Sequence, residues 1–129
     1  MILIEDILWV HNASIKRFGG GKGVRDMGLL HSAIARPFQT FGGEDLYPEV
    51  FSKAAALAES LIVNHPFVDG NKRTGFTAMV ALLLDYGNRL NASQEEAYET
   101  IIGISTGAID FKALKIWLEE HCSVNMASG

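Results

Sequence analysis

Cysteine is almost missing from this chain: Cys122 is the only one in 129 residues. An intramolecular disulfide is therefore excluded, and a reducing compartment is the natural setting. Long hydrophobic runs are missing too. The longest strictly apolar stretch, Ala78 to Leu84, falls far short of the roughly 20 residues that cross a bilayer. The opening Met-Ile-Leu-Ile-Glu-Asp lacks the positive leader of a secretory signal, because acidic residues interrupt its apolar run at once. These absences lead us to expect a cytoplasmic protein with no membrane partner. Excess positive charge is also lacking, since the formal net charge is -4 at pH 7. Phosphate backbones are bound through clustered Lys and Arg, so nucleic acid is not expected as a direct partner, although one local basic pocket remains compatible with that charge. No internal repeat is present, and no segment alternates apolar and polar residues with a sustained period of two.

What remains is the composition of an ordinary globular domain, 48% hydrophobic and 20% charged. One domain over residues 1–122 is expected, with 123–129 patternless and frayed. Helical periodicity recurs along it. Ile4, Ile7, Leu8, His11, Ile15 and Phe18 share one face of a first helix that Gly19-Gly20-Gly21 ends. Asp26 is placed to cap a second, short helix, which Arg36-Pro37 closes because proline disfavours α geometry in the residue before it. Residues 37–47 read as loop or a small hairpin. A third helix from about Glu49 to Asn64 carries a stripe of Phe51, Ala54, Ala55, Ala58 and Ile62 that extrapolates to His65 on its buried side. The fourth, from about Asn71 to Tyr86, is apolar nearly all round from Phe76 to Leu84, the pattern of a central helix packed on every side. Ser93 with Glu96 forms a capping box for a fifth helix, and Asp110 caps a sixth. The expected class is all-α: six helices around one buried central helix, with a possible small hairpin.

The segment His65-Pro66-Phe67-Val68-Asp69-Gly70-Asn71-Lys72-Arg73-Thr74 joins a buried helix end to a buried helix start. It holds the parts of a phosphoryl-transfer site. The head of the fourth helix presents unpaired backbone N–H groups and the positive end of its dipole, which suit an anion. Gly70 lets the chain turn there and approach a ligand closely. Lys72 and Arg73 add two cations suited to a polyphosphate. Unfilled by an anion, those cations oppose the dipole, a local rule broken as functional sites break them. Asp69 is a hard oxygen ligand of the kind Mg2+ takes together with substrate phosphates. His65 can act as a base near neutral pH. Read alone, Asp69 is an ordinary helix cap and His65 an ordinary C-terminal cap; only their company points to chemistry.

The run His-Pro-Phe-x-Asp-Gly-Asn-x-Arg resembles the signature loop of the Fic/Doc superfamily. The death-on-curing (Doc) toxin branch is the nearest in flavour, through Arg17-Phe18-Gly19-Gly20, Ala35-Arg36-Pro37, Asn71-Lys72-Arg73-Thr74 and Thr106-Gly107. The resemblance implies a Fic/Doc-type helical bundle using ATP and Mg2+. His65 matches the catalytic base and Asp69 the Mg2+ ligand. Gly70, Asn71 and Lys72 match the anion-holding turn. Arg73 matches the arginine that grips phosphate in the transition state. Residues 37–47 match the flap on which a target segment is laid by strand addition.

Two departures direct the choice of reaction. Fic enzymes that attach AMP carry glycine where this chain has Lys72, and a second arginine where it has Phe76. The lysine is the Doc-type residue, which implies phosphorylation of a translation elongation factor by a toxin held in check by a cognate antitoxin. Val63 stands where the founding member of that branch has an arginine. AMP or other nucleotidyl transfer therefore stays open as a second reading, and a catalytically weak antitoxin-binding module as a third.

Other features read as structural. Gly19-Gly20-Gly21-Lys22-Gly23 lacks the Ser or Thr after the lysine and the preceding strand of a phosphate-binding loop, so a flexible connector is expected. His11, His31 and His121 show no metal-ligand spacing. Trp9, Trp117 and the phenylalanines are expected in the core, and Cys122 to be inert.

Overall fold

Helix α1 (Ile4–Phe18) buries Ile7, His11 and Ile15, the i, i+4, i+8 row that periodicity demands. The structure, a computed structural model, describes residues 2–124. Helix α2 (Met27–Ala35) starts at Asp26, whose carboxylate accepts the Leu29 N–H at 3.0 Å. It gives way at Arg36 to a 3₁₀ turn, Arg36–Phe38, containing Pro37. Strands β1 (Thr40–Phe41) and β2 (Glu44–Asp45) then pair antiparallel around Gly42-Gly43, both at positive φ as a two-residue hairpin turn requires. The hairpin foreseen in 37–47 is thus present. Lys53, buried on α3, ties it down by donating to the Asp45 carboxylate and the Tyr47 carbonyl.

Helix α3 (Val50–Asn64) is the centre of the fold. It packs against α2, the 3₁₀ turn, α4, α5 and α6, and its run Ser52 to Ala58 is buried without interruption. Four alanines in that run keep it thin, so neighbours approach from all sides. Helix α4 (Asn71–Asp85) was expected to fill this role, but Thr77, Ala81 and Leu84 form an exposed stripe along it. A run of apolar residues reports burial in sum; it does not say which helix is enclosed. The α3–α4 seam is tight: a β-carbon on Gly75 would stand 2.6 Å from Ile62 Cγ1.

Strand β3 (Asn88–Leu90) leads to α5 (Gln94–Thr106), opened by the reciprocal Ser93 and Glu96 bonds, and α6 (Phe111–His121), opened by Asp110. Strand β4 (Cys122–Val124) then pairs antiparallel with β3, Leu90 facing Cys122 and Asn88 facing Val124. Ser123 and Val124, read from the sequence as part of a patternless, frayed tail, are thus paired with β3. Backbone pairing to a strand placed by α4 holds them and leaves no side-chain pattern to read. The rest of that tail, 125–129, lies outside the described residues. Three aromatics depart from their expected place in the core: Trp9 is 72% exposed, Phe18 61% and Phe41 80%. Among the described residues no helix is long and apolar enough to cross a membrane.

Candidate active site

Helix α3 stops because His65 takes left-handed geometry, φ 52° and ψ 58°. Among the described residues it is the one non-glycine at positive φ. That conformation costs a side-chain-bearing residue about 1–2 kcal/mol. Two features hold it there. Pro66 disfavours continuation of the α geometry. Arg25 donates from Nε to the His65 carbonyl at 2.7 Å and from Nη2 to the Asn64 carbonyl at 2.8 Å, so it partners carbonyls that a helix end leaves free. The reversal swings the imidazole off the buried stripe that extrapolation assigned to it, and His65 is exposed.

The chain returns through Phe67, fully buried and anchored to Asn71 at both ends. The Phe67 N–H donates to Asn71 Oδ1 at 2.9 Å, and Asn71 Nδ2 donates to the Phe67 carbonyl at 3.0 Å. The Asn71 side chain is thus spent on shaping the loop, and its backbone N–H is what it can offer an anion. Gly70, at φ 75°, caps α4. Lys72 is exposed and Arg73 half-buried in the first turn. Arg73 is aimed by three neighbours: its Nε donates to Ser14 Oγ at 2.8 Å, its Nη2 to the Gly19 carbonyl at 3.3 Å, and its guanidinium lies 5.0 Å from the Phe18 ring centre.

The glycine-rich stretch after α1 is a clamp on this loop, contrary to the flexible connector expected. Gly21 N–H donates to Asp69 Oδ2 at 3.1 Å, Val68 N–H to the Gly23 carbonyl at 3.1 Å, and the N–H groups of Arg25 and Asp26 to the Pro66 carbonyl at 2.8 and 3.0 Å. Val24 bridges to Phe67. Glycine is needed for proximity: a β-carbon on Gly20 would meet Asp69 Oδ2 at 2.8 Å. The Asp69 carboxyl is held below the usual carboxylate range, first by the Gly21 N–H and then by that of Gly70, with Arg73 and His11 adding a smaller pull. It stays an anion, and each of its oxygens keeps a lone pair beyond the one its amide uses. Such an oxygen pair suits Mg2+ completed by phosphate oxygens.

His65, Asp69, Gly70, Asn71, Lys72 and Arg73, every residue singled out in the sequence, line one polar cavity of about 240 Å3 together with Val68. It therefore gathers an imidazole, a carboxylate, two cations and helix-terminal amides. Arg73 also belongs to a second cavity of about 350 Å3, an apolar groove between α1 and α4 walled by Trp9, Phe18 and Phe76. Reasoning from sequence missed Arg25, Ser14, Gly21 and His11. Each acts across 39 or more residues of chain, and no local motif marks such a partner.

The sequence matches the model of the Fic/DOC family over residues 2–83, a span that includes the whole loop. A protein named Toxin Doc from Mycolicibacterium smegmatis is 49% identical over 88 residues, which cover 68% of this chain and 65% of that protein. The matched segment thus spans just under two thirds of that relative's length. A protein named Protein kinase doc from Escherichia phage P1 is 28% identical over 110 residues, covering 85% of this chain and 86% of that one.

Proposed function

We infer the function from one premise, that this chain belongs to the Fic/DOC family: it is the toxin of a toxin–antitoxin pair and transfers the γ-phosphoryl group of ATP to a Ser or Thr hydroxyl of a translation elongation factor. The observation that carries this reading is Lys72 beside Arg73 at the head of α4, in one cavity with the exposed imidazole of His65. The names of the two relatives, a toxin and a protein kinase, are consistent with it.

The reaction divides among these residues. His65 accepts the proton of the target hydroxyl as its oxygen bonds to the γ-phosphorus. The bond from that phosphorus to the β–γ bridging oxygen breaks, and the electron pair leaves with ADP. Lys72, Arg73 and the first amides of α4 hold the non-bridging oxygens in which negative charge is spread. When bound through Asp69 and the nucleotide, Mg2+ supplies further neutralisation of that charge. The β1–β2 hairpin offers an edge to which an extended target segment adds as a strand, with the exposed Phe41 as an apolar hold. The α1–α4 groove, apolar with Arg17 and Arg73 at its side, suits an amphipathic acidic helix such as an antitoxin segment that folds on binding. The setting for this activity is the cytoplasm.

Position of isotope tests the reaction. Purified elongation factor incubated with this protein and ATP is expected to take up label from the γ-phosphate with one ADP released per event. Label entering from the α-phosphate overturns the kinase reading in favour of nucleotidyl transfer. Equal growth inhibition by wild type and Arg73→Ala supports the binding module instead.

A further inference from the structure

One buried side chain outside the reacting set touches the loop at two points, Phe67 and the Asp69 carbonyl, and lies close beside Gly70. His11, on α1 and 5% exposed, lies flat against the Phe67 ring, with centroids 3.8 Å apart and planes 7° from parallel. Its Nε2 is 2.8 Å from the Asp69 carbonyl oxygen. Its Cδ2 is 3.7 Å from where a β-carbon on Gly70 would stand. A carbonyl only accepts, so Nε2 carries the proton and donates.

The Asp69 carbonyl and the Gly70 N–H are two ends of one rigid peptide plane. The N–H end donates to Asp69 Oδ1 at 2.9 Å, and the oxygen end is taken by His11. Gly70 sits at φ 75°, and glycine passes between positive and negative φ at little cost, so nothing in its own chemistry prevents this plane from turning over. A turned plane would pull the N–H away from the carboxylate and re-aim the start of α4. His11 is anchored for resisting that turn: Phe67, on which it stacks, is itself pinned by both bonds to Asn71.

The geometry points to His11 as a positioning residue, a latch on the Asp69–Gly70 peptide that keeps the Asp69 carboxylate facing the metal and the phosphates. This deepens the reading above and rests on its assignment of Asp69 to Mg2+. His11 is not among the residues lining the polar cavity. Its effect reaches the site through one carbonyl.

The test uses Mn2+ as a spin-active substitute for Mg2+, titrated with ATP into the full chain and followed by electron paramagnetic resonance, alongside amide NMR of Gly70. His11→Phe keeps the stack and loses the donor. It is expected to fold, to shift or broaden the Gly70 amide, and to weaken Mn2+–ATP binding roughly 10–100-fold, the usual effect of losing a group that orients a metal ligand. His11→Gln returns an N–H to the same carbonyl and is expected to recover most of both. A folded His11→Phe protein with wild-type Mn2+ affinity and an unmoved Gly70 amide overturns the latch. So does a loss that glutamine fails to restore, which assigns His11 to packing alone. Should the phenylalanine variant not fold, the glutamine variant decides: a retained Gly70 amide supports the latch, a displaced one overturns it. Asp69→Asn separates the two layers of the argument. If it binds Mn2+–ATP as wild type does, the metal assignment fails, and the Gly70 amide in the His11 variants still decides the latch.

Discussion

Arg25 grips the backbone of His65 from across the loop, its Nε 2.7 Å from the histidine carbonyl. The residue proposed as the base is thus held by a side chain from a different segment, in a conformation it would not keep alone. Removing the grip with Arg25→Ala is expected to lower stability by about 1 kcal/mol, because Arg25 is exposed and such bonds are discounted by solvent. That corresponds to a melting shift of about 4 °C for a domain of this size. Transfer is expected to fall further than stability does, by about tenfold or more, since a small misplacement of a reacting group has a large rate penalty. Thermal melts and single-turnover transfer, measured on the same preparation, check both. Equal, slight effects on the two would leave Arg25 as a helix cap only.

At His65 itself, chemistry and stability are expected to part. His65→Ala removes the base and should reduce transfer by about 10²–10⁴. Growth inhibition is then abolished while the circular dichroism spectrum stays that of the wild type. His65→Gly is equally inactive but accepts the left-handed geometry without a β-carbon, so it should be more stable than His65→Ala by about 1 kcal/mol. Chemical denaturation of the two variants measures the difference, and an alanine variant as stable as the glycine variant would mean that no strain is stored there.

Gly75 offers the opposite case, a position that matters for packing and not for reaction. An added methyl would stand 2.6 Å from Ile62 Cγ1, and α3 cannot retreat because it is enclosed by its neighbours. Gly75→Ala is expected to cost about 1–3 kcal/mol. Per folded molecule, the transfer rate should be unchanged. A denaturant titration that shows no loss would mean that the α3–α4 seam is looser than its geometry.

The hold of Gly21 on Asp69 has a defined pH window. The folded carboxyl titrates below its ordinary value of 3.8, so its contribution is complete above that value and is lost as pH falls through the lower folded value. Hydrogen exchange at the Gly21 amide should therefore remain protected, after correction for the intrinsic rate, down to pH 4 or so (roughly the ordinary aspartate value) and rise only in stronger acid. Asp69→Asn should remove that pH dependence. Protection lost already near pH 5 would contradict the assigned direction.

Much of this was legible in the sequence, and the boundary is physical. The caps at Asp26, Ser93 and Asp110 were readable because a cap is chemistry between residues three apart. The loop was readable because its chemistry is packed into ten consecutive residues. What stayed hidden depends on distant pairing. No periodicity reveals that Gly21 and Arg25 fold onto Asp69 and His65, or that His11 is more than a core residue. The burial of α3 rather than α4 was also hidden, because alanines contribute little to a hydrophobic count while permitting the closest packing. Extrapolating the α3 stripe placed His65 on the wrong side because a helical period ends where the left-handed turn begins. Trp9 and Phe18 were assigned to the core from their positions on helix faces, and both line the open groove instead.

Arg73 stands in the wall between two rooms, the polar cradle and the apolar groove. If the cradle takes the nucleotide proposed for it, a guest in the groove that offers the guanidinium a carboxylate would compete for the same cation. Thermodynamic reciprocity then makes the antagonism symmetrical: the factor by which such a guest weakens the nucleotide is the factor by which the nucleotide loosens the guest. One shared side chain would then be the route by which occupancy of either room is felt in the other.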